Sequence, residues 1–192
     1  MKELLNEEFQ LAFSSDNLLS SSILPEAIIV LSGEYPEENR ERVCLALELA
    51  RASNRSKTRI FLVEAAEKLG DFWQIAMNEM KLQKHRTISL IDCGPAKMAN
   101  TKTQFLSLIS QNWIGTVESW KYIVIITSDY HVPRVARAAS RFLPKDTDFQ
   151  VFGAHWQHPD HSQEQLQKIE TEKIIRYIKS GDIAKIRRDL QS

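Results

Sequence analysis

Cysteine is scarce in this 192-residue chain: there are two, Cys44 and Cys93. They have no CxxC spacing, which points to reduced thiols. Cys44 falls within a helical pattern and is expected in the core, whereas Cys93 follows a strand and is a candidate for reactivity. An excess of either charge is also missing, since 25 basic residues balance 25 acidic ones. The chain thus lacks the broad electrostatic footprint of a nucleic-acid binder, and only a local basic patch stays open. No apolar run is long enough to span a membrane. Met1–Ser22 is acidic and interrupted, with Lys2 its only basic residue, so it lacks the two leading regions of a signal peptide and a cytoplasmic protein is expected. GxGxxG and GxxxxGK[ST] are both missing, which disfavours ordinary dinucleotide-binding and P-loop chemistry.

What is present is 43% apolar residues, enough for one core of ordinary size. Residues 3–13 carry Leu5, Phe9, Ala12 and Phe13 at helical spacing, and Ser14–Ser22 reads as a loop. Residues 1–24 are therefore expected as an amphipathic helix and loop, and residues 25–192 as a single domain.

The most informative stretch is Tyr122–Arg137. Tyr122–Ile126 is an unbroken β-branched and aromatic run, the pattern of a strand covered on both faces of a parallel sheet. Thr127–His131 then turns polar. Pro133 suits the first turn of a helix, and it pushes Val132 towards an extended conformation. Arg134 and Arg137 lie where the helix dipole disfavours cations by roughly 0.3–1 kcal/mol each. Two readings follow: a carboxylate offsets them, Asp129 or one from elsewhere, or a bound phosphate, pyrophosphate or carboxylate does.

Along the rest of the chain, strands are expected at Ala27–Leu31, Ile60–Val63, Ile88–Ile91 and Phe149–Phe152, the last as an edge strand because it alternates. Helices are expected from the Tyr35–Asn39 connector to about Ala52, around Asp71–Leu82, from Asn100 or Thr101 to about Ile114, and over Gln163–Lys179. A short basic tail helix should follow Ser180-Gly181. Val43, Leu45, Ala46, Leu49 and Ala50 should form the buried side of the first of these helices, and Phe105, Leu106, Leu108 and Ile109 the apolar residues of the third. Alternating short strands and helices specify a doubly wound α/β/α fold with an open, mostly parallel sheet of about five strands. If strand 4 lies beside strand 1, in the order 3-2-1-4-5, the winding reverses there and a crevice opens at their carboxyl ends. Ser32-Gly33-Glu34 and Thr127–His131 would then share one mouth.

These residues resemble a known family. Strand-Ser32-Gly33, Arg42 in the following helix, Asn100-Thr101, and above all Thr127-Ser128-x-Tyr130-His131-x-x-Arg134-Val135 are similar to the YdcF-like, SanA-like and ElyC-like domain of bacteria, over about residues 25–155. The resemblance implies a Rossmann-like fold and, as a ligand, S-adenosylmethionine. Two stretches depart from the family pattern. A small Ser-Gly-Gly turn is replaced by Glu64-Ala65-Ala66, and Asn-Thr-x-Glu-Asn by Asn100-Thr101-Lys102-Thr103-Gln104.

The expected site binds a small anionic or nucleoside-like ligand. In it Arg42 and Arg134 neutralise anionic groups, Thr127 and Ser128 donate hydrogen bonds, and Asn100 and Thr101 close the pocket. Gly33 permits close backbone approach or positive φ, Glu34 and Glu64 face the ligand, and Tyr130 stacks on a ring. His131 is the candidate acid or base, the alternative being a helix cap with Tyr130 packed beside the sheet. His155, His158, His161 and Asp160 could hold a divalent ion, but the spacing matches no established motif and a solvated loop is the simpler reading. No metal is assigned. The second hypothesis, motivated by the two departures, is a non-catalytic relative that keeps the fold for a protein partner.

Overall fold

A computed structural model describes residues 25–53, 58–80, 88–111 and 120–185. The amphipathic helix expected before residue 25 lies outside them, as do the ends expected at Leu82 and Ile114 and most of the basic tail. Five strands, β1 (Ala27–Leu31), β2 (Arg59–Glu64), β3 (Ile88–Asp92), β4 (Tyr122–Ser128) and β5 (Asp148–Ala154), form one sheet in the order β3-β2-β1-β4-β5. Every pairing is parallel. Between and after them run α1 (Pro36–Ala52), α2 (Leu69–Met80), α3 (Thr101–Ser110), α4 (Val132–Phe142) and α5 (Gln163–Lys179). This is the doubly wound, Rossmann-like three-layer arrangement, with the edge strand β5 where alternation placed it.

The sheet's pleat divides the core in two. Ile28, Val30, Ile60, Leu62, Val124 and Ile126 point to one face and meet Val43, Ala46, Leu47 and Ala50 of α1 with Phe72 and Ala76 of α2. Ile29, Leu31, Phe61, Val63, Ile123 and Ile125 point to the other and meet Phe105 and Leu108 of α3, Val135, Ala138 and Ala139 of α4, and Ile174 of α5. All five residues of β1 are buried, and each of Ile28, Ile29, Val30 and Leu31 contributes about 1.5–3 kcal/mol. That is why its sequence reads as an unbroken apolar run.

Several local expectations are corrected. Val132 has φ −49° and ψ −49° and is helical, although a proline follows it. A 3-10 turn over Asp129–His131 runs straight into α4, and burial of Val132 to 2% exposure outweighs the local preference for extended backbone. Cys44 is half-buried beside Glu79 Oε2, while Cys93 is in the core. Burial pushes both thiols up to about 11, so Cys93 is a packed, protonated thiol rather than a reactive one. Leu106 is 43% exposed, and Leu45 and Leu49 only border the core that Leu47 enters.

Helix ends are written in the sequence. Asn100 and Thr103 form a reciprocal capping box at the start of α3, as Ser162 and Gln165 do at α5. Pro36 and Pro133 occupy first-turn positions of α1 and α4. In β5, Gly153 lies against the backbone of Asp129, where a Cβ would collide with the Asp129 Cα. Gly153→Ala is therefore expected to cost about 1–3 kcal/mol by overpacking. Urea unfolding measures it, and a change within about 0.5 kcal/mol, the range of a neutral surface substitution, would show that this contact yields freely.

Candidate functional site

The reversal of winding between β1 and β4 opens a cavity of about 440 Å³, within the usual ~300–1,000 Å³ of small-molecule sites. Ser32, Gly33 and Glu34 enter it after β1, Thr127 at the end of β4 and His131 just after it, so the two polar turns do share one mouth. Glu64 at the end of β2, Asn100 and Thr101 at the start of α3, and Arg134 on α4 complete the expected lining. Lys68, Gln104, Lys173 and Tyr177 line it as well.

Arg42, Ser128 and Tyr130 take a different place. They lie beneath the mouth in a buried network centred on Glu38, which is 1% exposed. Glu38 Oε1 accepts from Arg42 Nη2 at 2.5 Å, Ser128 Oγ at 2.5 Å and the Tyr130 hydroxyl at 2.8 Å. Its Oε2 accepts from the Glu34 N–H at 3.0 Å. The rest of the Arg42 guanidinium donates to Leu31 O at 2.6 Å and to Ser128 Oγ. Arg42 therefore has an internal counter-ion and does not reach a ligand. Burial works to raise the Glu38 carboxyl, but Arg42 and then the Ser128 and Tyr130 hydrogen bonds outweigh it and hold the pKa at about 2. The Tyr130 hydroxyl is pushed up by burial and by Glu38, so it stays a donor.

Gly33 is explained by the same network. Its φ is not positive, and a Cβ there would collide with the Glu38 carboxylate. The close approach that glycine permits is made by Glu38, and the Gly33 N–H donates to Asn39 Oδ1 at 2.6 Å. The first turn of α1 thus folds the strand-1 loop back onto itself.

A second buried carboxylate organises the other wall. Glu170 of α5, also 1% exposed, accepts from Arg134 Nε at 2.6 Å and Lys173 Nζ at 3.0 Å, and its Oε2 lies 3.1 Å from His131 Nδ1. Arg134 donates further to Thr101 Oγ1 at 2.8 Å and meets His131 Nδ1 at 2.9 Å. The carboxylate that offsets Arg134 comes from elsewhere in the chain, as the simpler of the two readings has it. Burial opposes ionisation of Glu170, but the positive charges of Arg134 and Lys173 hold its carboxyl below the usual range. Burial lowers the His131 pKa to about 4, with Arg134 adding to the effect and Glu170 opposing it. His131 is therefore neutral at physiological pH and does not cap α4.

Towards β2 the lining is acidic. Glu64, 4% exposed, accepts from the Ala65 N–H at 2.6 Å, and the Ser32 hydroxyl nearby favours its ionised form. Ser32 Oγ in turn accepts from Gln104 Nε2 at 2.9 Å. Burial raises the Glu64 carboxyl above its ordinary value despite these donors. Gln104, which stands in the stretch departing from the family pattern, thus ties α3 to the strand-1 loop.

Asp129 turns away from the mouth. Its Oδ2 pairs with His155 Nδ1 at 2.9 Å, and Gln163 reaches the same oxygen at 3.4 Å. His158 stacks near His161, with ring centroids 4.6 Å apart, and near Trp156 and Tyr35. Among the described residues no group of three His, Cys, Asp or Glu side chains is placed to hold a metal ion.

The sequence reading missed Glu38 and Glu170, the two carboxylates on which the site depends. Both leave a trace. Glu38 stands four residues before Arg42 on one helix, an ion-pair spacing. Glu170 interrupts the apolar stripe of α5 between Leu166 and Ile174, an acid on a face that should be buried. Compared with protein-family models, with curated proteins and with solved structures, the chain has no significant match.

Proposed function

We propose that the cavity binds a small ligand with an anionic group, nucleoside-like ligands included, and that the chain is a relative of the YdcF-like domains. The observation that carries this reading is the convergence of two polar turns on one open cavity whose walls differ in charge. Lys68 supplies a cation at the rim, Arg134 and Lys173 share the single Glu170 carboxylate and so leave one positive charge in excess, and the start of α3 adds the positive end of a helix dipole. Glu34 and Glu64 stand among the other lining residues and suit hydroxyl or amine groups. S-adenosylmethionine, offered by the family resemblance, carries all of these groups.

A melting-temperature screen with nucleotides, pyrophosphate, sugar phosphates and S-adenosylmethionine tests the reading. A ligand at a hundred times its dissociation constant adds about 2.7 kcal/mol, or roughly 5–10 °C for a chain of this size. Lys68 is exposed at the rim, so Lys68→Ala should keep the fold and reduce the response. An unchanged melting temperature across the panel would remove the main support for a ligand site.

One observation favours the second reading, a non-catalytic relative that serves a protein partner. Arg42, Ser128 and Tyr130, three side chains that the resemblance places at the ligand, all bond to Glu38 instead, and Arg42 bonds to Ser128 as well. Recovery of a stoichiometric partner together with an unresponsive cavity would select it.

A further inference from the structure

We infer that His131 presents Nε2–H to the cavity as a neutral hydrogen-bond donor for a ligand oxygen, because the Arg134 guanidinium occupies Nδ1. The inference rests on the cavity being a ligand site, and it assigns the chemistry of one of its walls.

The argument begins at Nδ1, which lies 2.9 Å from Arg134 Nη2 and 3.1 Å from Glu170 Oε2. One ring nitrogen cannot accept from the first and donate to the second. A guanidinium keeps its protons in any protein environment. An Nδ1–H would therefore face an N–H at hydrogen-bond distance, an arrangement that repels. Glu170 has no need of the imidazole proton, because Arg134 Nε at 2.6 Å and Lys173 Nζ at 3.0 Å already serve its two oxygens. A bare Nδ1 accepts from Arg134 at the shorter of its two contacts, 2.9 Å against 3.1 Å to Glu170 Oε2, so the ring proton sits on Nε2.

Nε2 has no partner among the described residues, and it is not one of their buried unpartnered polar atoms. It is therefore accessible, and His131 lines the cavity with 17% of its side chain exposed. The ring is held against rotation, since Tyr130 packs against it at a centroid distance of 4.1 Å and its own hydroxyl is anchored on Glu38.

The charged surroundings keep the ring neutral. Arg134 on the same helix and Arg42 from α1 disfavour a third positive charge, Glu170 from α5 and Glu38 from α1 favour it, and burial is the largest influence and acts against it. A neutral donor stabilises negative charge on an oxygen without taking its proton, which distinguishes this role from general-base catalysis. The fitting group is a carbonyl, carboxylate or phosphoryl oxygen.

Two-bond proton–nitrogen correlation spectra of the ligand-free, nitrogen-15-labelled protein test the tautomer, with His131 identified by the signal lost in His131→Gln. The expected result is an Nε2–H imidazole from about pH 8 to pH 5, with protonation only at about 4. An Nδ1–H tautomer, or an imidazolium at pH 7, overturns the inference. Pyrophosphate titration then tests the donor. His131→Gln keeps an N–H close to the position of Nε2 and should bind within about threefold of wild type, whereas His131→Phe should lose roughly tenfold or more. Equal losses in both variants refute the donor role. The two readings fail separately: an Nδ1–H tautomer with intact pyrophosphate binding sinks this inference alone, whereas an Nε2–H tautomer with no binding supports the assignment and counts against the ligand site.

Discussion

Replacing Glu38 with alanine is expected to lower the unfolding free energy by about 3–5 kcal/mol, the cost of leaving a buried charge uncompensated. At 2–4 °C per kcal/mol the melting temperature would fall by about 10 °C. The charge in question is Arg42, whose side chain is 1% exposed and whose nearest carboxylate is Glu38 at 2.5 Å. Ser128 and Tyr130 would lose their acceptor in the same step. Urea unfolding provides the measurement, and the double variant Glu38→Ala, Arg42→Met provides the control. Removing both charges should recover much of the loss, because an apolar pair of similar volume carries no desolvation penalty. A loss below 1 kcal/mol for the single variant would mean that water reaches Arg42 readily.

The second large effect is with pH. His131 titrates at about 4 in the folded protein against an ordinary value of 6.5. Below 6.5 the unfolded chain takes up a proton that the folded chain refuses, so stability falls as pH falls from about 6.5 to 4. A difference of about 2.5 pH units corresponds to about 3 kcal/mol. Glu38 and Glu170, both depressed, extend the loss below the ordinary carboxylate value of 4.5. Glu64 and Asp129 act in the opposite sense, since their raised values stabilise the protonated, low-pH side. The His131 part is isolated by comparing wild type with His131→Phe. The variant should show a flatter profile between pH 6.5 and 4. Parallel profiles would show that His131 titrates alike in both states.

Much of the fold was legible in the sequence because parallel strands buried on both faces have an unmistakable composition. Ala27–Leu31 and Tyr122–Ile126 read as strands with no help from tertiary structure, and so did the alternation that marks β5 as an edge. The order of the strands followed from one condition, β4 beside β1, and with it the shared mouth. Side-chain partners were much less legible. Periodicity tells that a residue faces inward but not what it meets there, so Arg42 was assigned to a ligand when it meets Glu38, Leu31 and Ser128. Cys44 and Cys93 exchanged roles for the same reason: a helical stripe has a border, and Cys44 stands on it. Val132 shows the limit of local rules, since the preference set by Pro133 is weaker than the burial of its side chain. Gly33 was marked as a close-approach position without its visitor, which proved to be a carboxylate five residues further on.

The bonds from Glu38 to Ser128 and Tyr130 join positions 90 and 92 apart in the chain. Residues before β4 supply the loop, its acid and its arginine, and residues from the end of β4 onward supply the hydroxyls and the imidazole. Neither portion carries a floor for the mouth by itself. A chain severed between β3 and β4 would therefore yield two pieces with nothing to inherit from this cavity, and only their reassociation could restore it.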